Sequence, residues 1–283
     1  MLARGDEESL AEEGLIEVPV RRLEARMSED VWREGDALVL KRAGEPPLLL
    51  RLDRGPIRLG DAGLIDLTSL LGSSPGGSID WLGTQYRALR PSLSDLFATM
   101  TRGAQIVTPK DGARILSLAS IAPGDRIGEA GSGSGALTIA LAFAVGPSGM
   151  VLSVDRRAEA MRLAKANVER AGLGPRVRWV EGDVVQSGWP EEHLDAIVLD
   201  LPEPWAALAP SHRAVRTGAW IVAYTPTYNQ LERTVRAMRE IGLDEVQALE
   251  VIERALHVGE GGTRPSFDML GHTGFLSAGR RVD

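Results

Sequence analysis

The run Glu129-Ala130-Gly131-Ser132-Gly133-Ser134-Gly135 limits what this chain can fold into more than any other stretch. It follows Arg126–Ala130, which reads as a short strand, and precedes the apolar Ala136–Val145, which reads as a helix. Glycines at such a junction let the backbone turn tightly and approach a ligand, and the helix behind them offers its N-terminal amides. The alternation then continues. Met150–Asp155, Val177–Val180, Leu194–Asp200 and Ala219–Thr225 read as strands. Arg157–Ala171 and the region Gln230–Ile241 read as helices, and Glu245–Ile252 and Gly274–Ala278 as the last two strands. Alternating strands and helices build a mostly parallel α/β sheet covered on both faces. Ligands bind such sheets beyond the carboxyl ends of the strands, so chemistry is expected just after each strand.

The preceding part of the chain reads differently. Residues 18–90 carry short apolar runs broken by turn residues, such as Leu38–Leu40 and Leu48–Leu52 around Gly44-Glu45-Pro46-Pro47. We read them as a small β-rich domain, and 91–283 as the catalytic domain. Residues 1–17 hold six acids and one base, −5 of the formal net charge of −7, and read as a flexible acidic tail. The remainder is nearly neutral, so charge neither excludes nor points to a polyanionic partner. With no cysteine, disulfides, thiolate metal sites and a Cys nucleophile are excluded, and a reducing cytoplasm fits. The longest apolar run, about Ala136–Gly146, is too short to cross a bilayer. No His/Asp/Glu spacing points to a metal site.

The glycine loop alone leaves two ligands open. With Gly131, Gly133 and Ala136 it satisfies a relaxed dinucleotide pattern, and Asp155 lies where a ribose-binding acid would, as in an oxidoreductase. Three acids favour S-adenosylmethionine instead. Glu129, just before the loop, would repel a pyrophosphate but suits a ligand bearing an ammonium and a sulfonium. Asp155 is placed to accept both ribose hydroxyls, and Asp183, in Glu181-Gly182-Asp183, to accept from an adenine amine. A plain role for Asp155 and Asp183 as strand ends or helix caps stays open. Asp200, in Leu199-Asp200-Leu201-Pro202-Glu203-Pro204-Trp205, ends a solid apolar strand and points toward the same site, unless it caps the helix that follows.

Several runs then resemble one family, the tRNA (adenine-58 N1)-methyltransferases. They are Arg102–Asp111, Glu129–Leu137, Asp200-Leu201-Pro202, Val222–Pro226, Asn229-Gln230 and Gly271–Leu276, in order over about residues 30–283. The resemblance implies a class I, Rossmann-like methyltransferase with a doubly wound seven-stranded sheet, acting as a homotetramer on N1 of an adenine in the tRNA T-loop. It implies S-adenosylmethionine contacts from Gln105, Glu129, Gly131, Ser132, Gly133, Ser134, Asp155, Arg156, Asp183 and Asp200. Asp200 becomes the catalytic carboxylate and Tyr224 lines the adenine pocket. The chain departs from the family at Thr108, where a tyrosine that helps hold the flipped base is usual. Arg87, Arg90, Arg102, Lys110, Arg264, Arg280 and Arg281 are candidates for the RNA backbone, and His272 is expected to be a hydrogen-bonded structural residue. Competing readings are a methyltransferase of the same fold for a small molecule or protein, an oxidoreductase, and a tRNA-binding scaffold without catalysis. Steep salt dependence of substrate binding separates the first from an RNA enzyme.

Overall fold

The computed structural model describes residues 30–59, 63–103 and 106–283; the acidic segment 1–17 and Gln105 lie outside the described residues. Residues before about 90 form two small antiparallel sheets. Strands β1 (Ala37–Lys41), β2 (Leu48–Arg51), β5 (Ser78–Trp81) and β6 (Thr84–Leu89) pair in the order β2-β1-β6-β5, and β3 (Pro56–Arg58) pairs with β4 (Leu64–Asp66). The β1–β2 register closes at Leu40 opposite Leu48, around the Gly44–Pro47 turn. Trp32, Leu38, Leu40, Leu52 and Leu67 fill the space between the sheets.

Helix α1 (Leu93–Thr99) starts at a capping box in which Ser92 and Asp95 satisfy each other's backbone amides. Asp95 also accepts from Lys41 Nζ at 2.8 Å, and Arg51 donates to the Glu169 carbonyl at 3.0 Å. These bonds hold the small sheet against the helices of the larger unit.

That unit is a seven-stranded sheet in the order β12-β15-β11-β10-β7-β8-β9. Strands β7 (Arg126–Ala130), β8 (Met150–Asp155), β9 (Val177–Glu181), β10 (Leu194–Leu199) and β11 (Val215–Thr225) are parallel. Strand β15 (Phe275–Arg280) runs antiparallel between β11 and β12 (Asp244–Glu250). Helices α2 (Pro109–Leu118), α3 (Ala136–Val145), α4 (Ala158–Arg170), α5 (Val184–Ser187), α6 (Pro204–Ala214) and α7 (Tyr228–Glu240) cover the two faces. Helix α3 is apolar nearly all round because the sheet, α1, α2 and α4 surround it. Connections run one way from β7 and the other way from β10, so the sheet order reverses between these neighbours. The Asp200 amide donates to the Ala130 carbonyl at 2.9 Å there, joining the glycine loop to the loop after β10.

Candidate active site

The loop after β7 turns only because it is glycine. Gly131 has φ +94°, and a Cβ on it would lie 2.1 Å from the Asp200 carbonyl oxygen. Ser134 is fixed from two sides. Its hydroxyl accepts from the Gly103 amide at 2.9 Å, and its carbonyl from Asn167 Nδ2 at 2.8 Å. Asn167 is buried on α4 and also exchanges two hydrogen bonds with the Thr101 backbone. The chain leading into α2 is thereby clamped onto the glycine loop.

Glu129 sits under this loop, fully buried. Its Oε2 accepts from Thr138 at 2.7 Å and from Ser153 at 2.5 Å. Since Ser153 spends its proton on Glu129, the 2.8 Å bond between Ser132 and Ser153 has Ser132 as donor. Oε1 of Glu129 is buried with no partner. Burial pushes this carboxyl up to about 7, against the pull of the Ser153 and Thr138 hydroxyls, with the charges of Asp200 and Asp155 adding to the rise. A buried acceptor without a donor costs about 1–3 kcal/mol, so the site calls for a hydrogen-bond donor at Oε1.

Asp155 is nearly buried at the end of β8. It accepts from the Gly133 amide at 3.3 Å and the Arg157 amide at 2.9 Å, and pairs with the Arg157 guanidinium at 3.4 Å. Its neighbour Arg156 turns instead toward Asp183, 3.8 Å away. Asp183 caps α5, accepting from the Val185 amide at 2.9 Å. One of its oxygens is thus spent on a helix cap, leaving the other toward Arg156 and the site.

Asp200 does not cap the following helix, whose N-cap is Glu203. Its carboxyl lies deep behind the loop although part of the residue is accessible. Burial raises it to about 7; Arg157 pulls it down and Asp155 pushes it up. Two carboxyls poised near neutrality, Glu129 and Asp200, thus flank the switch point.

Beside them lies a buried network that the sequence did not reveal. Lys110 Nζ donates to Asp111 at 2.7 Å, to the Val251 carbonyl at 2.7 Å and to Thr273 Oγ1 at 2.6 Å. Thr273 Oγ1 and Thr108 Oγ1 both donate to Asp111 Oδ2, at 2.7 and 2.8 Å. The Tyr224 hydroxyl donates to the Thr273 carbonyl at 2.6 Å. Gly274 passes flat against this ring, where a Cβ would lie 2.3 Å from it. The two most distinctive runs of the sequence, 108–111 and 272–274, therefore meet around Tyr224. Burial pushes the phenol up to about 12, so it stays protonated. His272 is a bonded structural residue as expected: Nδ1 is 2.7 Å from Glu250 and Nε2 2.8 Å from the Pro226 carbonyl. With an acceptor at each ring nitrogen, the Glu250 bond first and then the Pro226 carbonyl hold its pKa above the ordinary value.

Several expected RNA contacts are occupied within the chain. Lys110 is in the buried network, Arg90 pairs with Asp30 and Asp36, and Arg280 pairs with Glu245. Arg281 donates to the His212 and Val215 carbonyls, and Arg87 to that of Gly76. Among the described residues no cluster of side chains could hold a metal ion.

A doubly wound sheet with one strand turned back between its last two parallel positions, and carboxylates beyond its central strands, is the catalytic fold of the S-adenosylmethionine-dependent methyltransferases. A Thermotoga maritima structure described as a SAM-dependent O-methyltransferase shares it, with TM-score 0.75 and 31% identity over 90% of this chain and 96% of the other. The Aquifex aeolicus tRNA (m1A58) methyltransferase TrmI has the same fold, with TM-score 0.69 and 23% identity over 89% of this chain and 99% of that one. Within this class the chain belongs to the tRNA methyltransferase complex GCD14 subunit family, which matches residues 90–264. It is 34% identical over 248 residues to the Thermus thermophilus tRNA (adenine(58)-N(1))-methyltransferase TrmI, covering 87% of this chain and 97% of the relative. It is 33% identical over 224 residues to the Methanocaldococcus jannaschii tRNA (adenine(57)-N(1)/adenine(58)-N(1))-methyltransferase TrmI, covering 70% and 79%.

Proposed function

We propose that the chain methylates N1 of adenine 58 in the T-loop of tRNA, in the cytoplasm, as a homotetramer. One observation carries the chemistry: Asp200 is hydrogen-bonded through its backbone to the glycine loop's strand and presents a carboxyl poised near pH 7 at the switch point. The relatives named above set the substrate, and the exposed Leu256, Val258, Phe267, Met269 and Leu270 around the hairpin of β13 (Leu256–Gly259) and β14 (Gly262–Pro265) favour self-association.

The residues present suit S-adenosylmethionine. When bound, it supplies an electrophilic methyl group on a sulfonium. Glu129 Oε1 would accept from its ammonium, Asp155 and Asp183 would take the ribose hydroxyls and adenine amine, and Gly131, Ser132, Gly133 and Ser134, with Gln105, Arg156 and Asp200, would supply its remaining contacts. The target base must leave the folded T-loop before its Watson–Crick edge can face the methyl group. Asp200 then accepts from the exocyclic amine, which orients N1 and stabilises the positive charge that develops on the ring. Tyr224, its hydroxyl tied to Thr273, presents a fixed ring to the base and takes no part in proton transfer.

Cofactor binding should expel protons. Free Glu129 holds its proton up to about pH 7, whereas a cationic donor at Oε1 favours the carboxylate. S-adenosylmethionine affinity therefore rises as pH climbs from about 5 to 7, by up to about tenfold per pH unit for each proton released, and levels above that. Calorimetric titration across that range checks this; Glu129→Gln should flatten the rise, and a level wild-type profile contradicts it. Gly131→Ala removes cofactor binding more completely. The left-handed backbone alone costs about 1–3 kcal/mol in a residue with a Cβ, and the Asp200 carbonyl blocks the new atom. Affinity falls about 100-fold or more by the same titration.

A further inference from the structure

We propose that the cleft between α6 and α7, built by Trp205, Arg233 and Asn229, binds a nucleotide of the RNA that neighbours the target adenosine. The inference rests on the tRNA reading above and adds a subsite to it.

Its position is set by the catalytic loop. Trp205 lies five residues after Asp200, on the first turn of α6. Asn229 lies on the first turn of α7, directly after β11, and the next residue, Gln230, donates from Nε2 to the Pro202 carbonyl at 2.9 Å. The cleft rim and the loop carrying Asp200 are thus one hydrogen-bonded unit. The cleft is an open groove of about 620 Å3, accessible to a nucleotide from solvent.

Its chemistry is that of an unpaired nucleotide. The Arg233 guanidinium lies 4.1 Å over the Trp205 ring, and its outer face extends that ring into a stacking platform. Arg233 has no carboxylate partner among the described residues, whereas its neighbour Arg236 is paired with Glu232. Glu232 and Glu240 also line the cleft, so the phosphate is held at the edge of the Arg233 guanidinium while the base stacks on its outer face. The exposed Asn229 amide can bond a base edge in either direction. Other groups do not offer this. Thr108 has no ring and spends its hydroxyl on Asp111, and most other expected RNA-binding cations are held inside the chain.

The test measures methylation of unmodified tRNA by the wild type, Arg233→Ala and Arg239→Ala, the last lying on the same helix outside this cleft. The tRNA is used intact and with an abasic site on either side of the target adenosine. Arg233→Ala raises KM for tRNA about 5- to 100-fold, the range of one lost stacking contact, with kcat and S-adenosylmethionine affinity unchanged. Arg239→Ala leaves all three unchanged. One abasic tRNA raises the wild-type KM comparably and adds little to the loss in Arg233→Ala, because both remove the same contact. Arg233→Ala behaving like Arg239→Ala, or abasic and protein losses that multiply in full, overturns the subsite while wild-type methylation leaves the tRNA reading standing. No methylation by the wild type overturns both.

Discussion

Replacing Asp200 with alanine lowers methyl transfer to tRNA by about 100- to 10,000-fold, the span of a positioned acid–base or charge-stabilising group. Cofactor affinity stays within a few-fold. The separation follows from which atoms of Asp200 do what. Its amide anchors the loop to Ala130 and its carbonyl lies against Gly131, and neither is lost on truncation. Only the carboxyl goes, and with it the acceptor proposed for the exocyclic amine. Asp200→Asn keeps an acceptor oxygen without the charge and falls between the two. Removing Asp200 also removes one of the charges that raise Glu129, so the pH rise in cofactor affinity moves to lower pH. Parallel titration and single-turnover assays check both. Loss of cofactor binding with undiminished turnover of the bound fraction would contradict the assignment.

Lys110→Met destabilises the protein by about 3–5 kcal/mol, the usual cost of stripping one partner from a buried ion pair. Asp111 is fully buried, and the Lys110 side chain is only 11% exposed. The change leaves a buried carboxylate facing only two hydroxyls and takes a donor from the Val251 carbonyl. Replacing Asp111 as well costs less than the sum of the single changes, because the stranded charge is then gone. Denaturant midpoints of the three variants measure this. In the Lys110 variant Tyr224 keeps its bond to the Thr273 carbonyl, but Thr273 loses one of the side-chain bonds that fix it. A Lys110→Met protein as stable as the wild type would mean that the network is not what holds these runs together.

How far the sequence could be read follows from what each residue touches. Strand β7, helix α3 and strand β8 begin and end where the sequence places them, because glycines bound them and their apolar runs are buried on all sides. Strand β11 begins earlier than Ala219, since Arg216-Thr217-Gly218 at its start is polar and lies toward solvent. The hairpin β13–β14 carried no signal, because its residues are exposed on both faces and so do not alternate. At the site, acids at strand ends were legible because the fold puts ligands there. The partners of those acids were less so. Asn167 sits among the buried residues of α4 as a polar clamp, and the Asp111–Thr273 contact joins residues 162 apart in the chain. No spacing rule reaches that far. The cations expected to meet RNA were judged by type alone, and the sequence does not show which of them, like Lys110, are spent on partners inside the fold.

Labelled S-adenosylmethionine incubated with the protein and unmodified tRNA, followed by identification of the labelled nucleoside, tests the central claim most directly. The expected product is 1-methyladenosine, absent when adenine 58 is replaced and nearly absent with Asp200→Ala. Cofactor binding without any labelled nucleoside, or a label on another atom of the RNA, would contradict it.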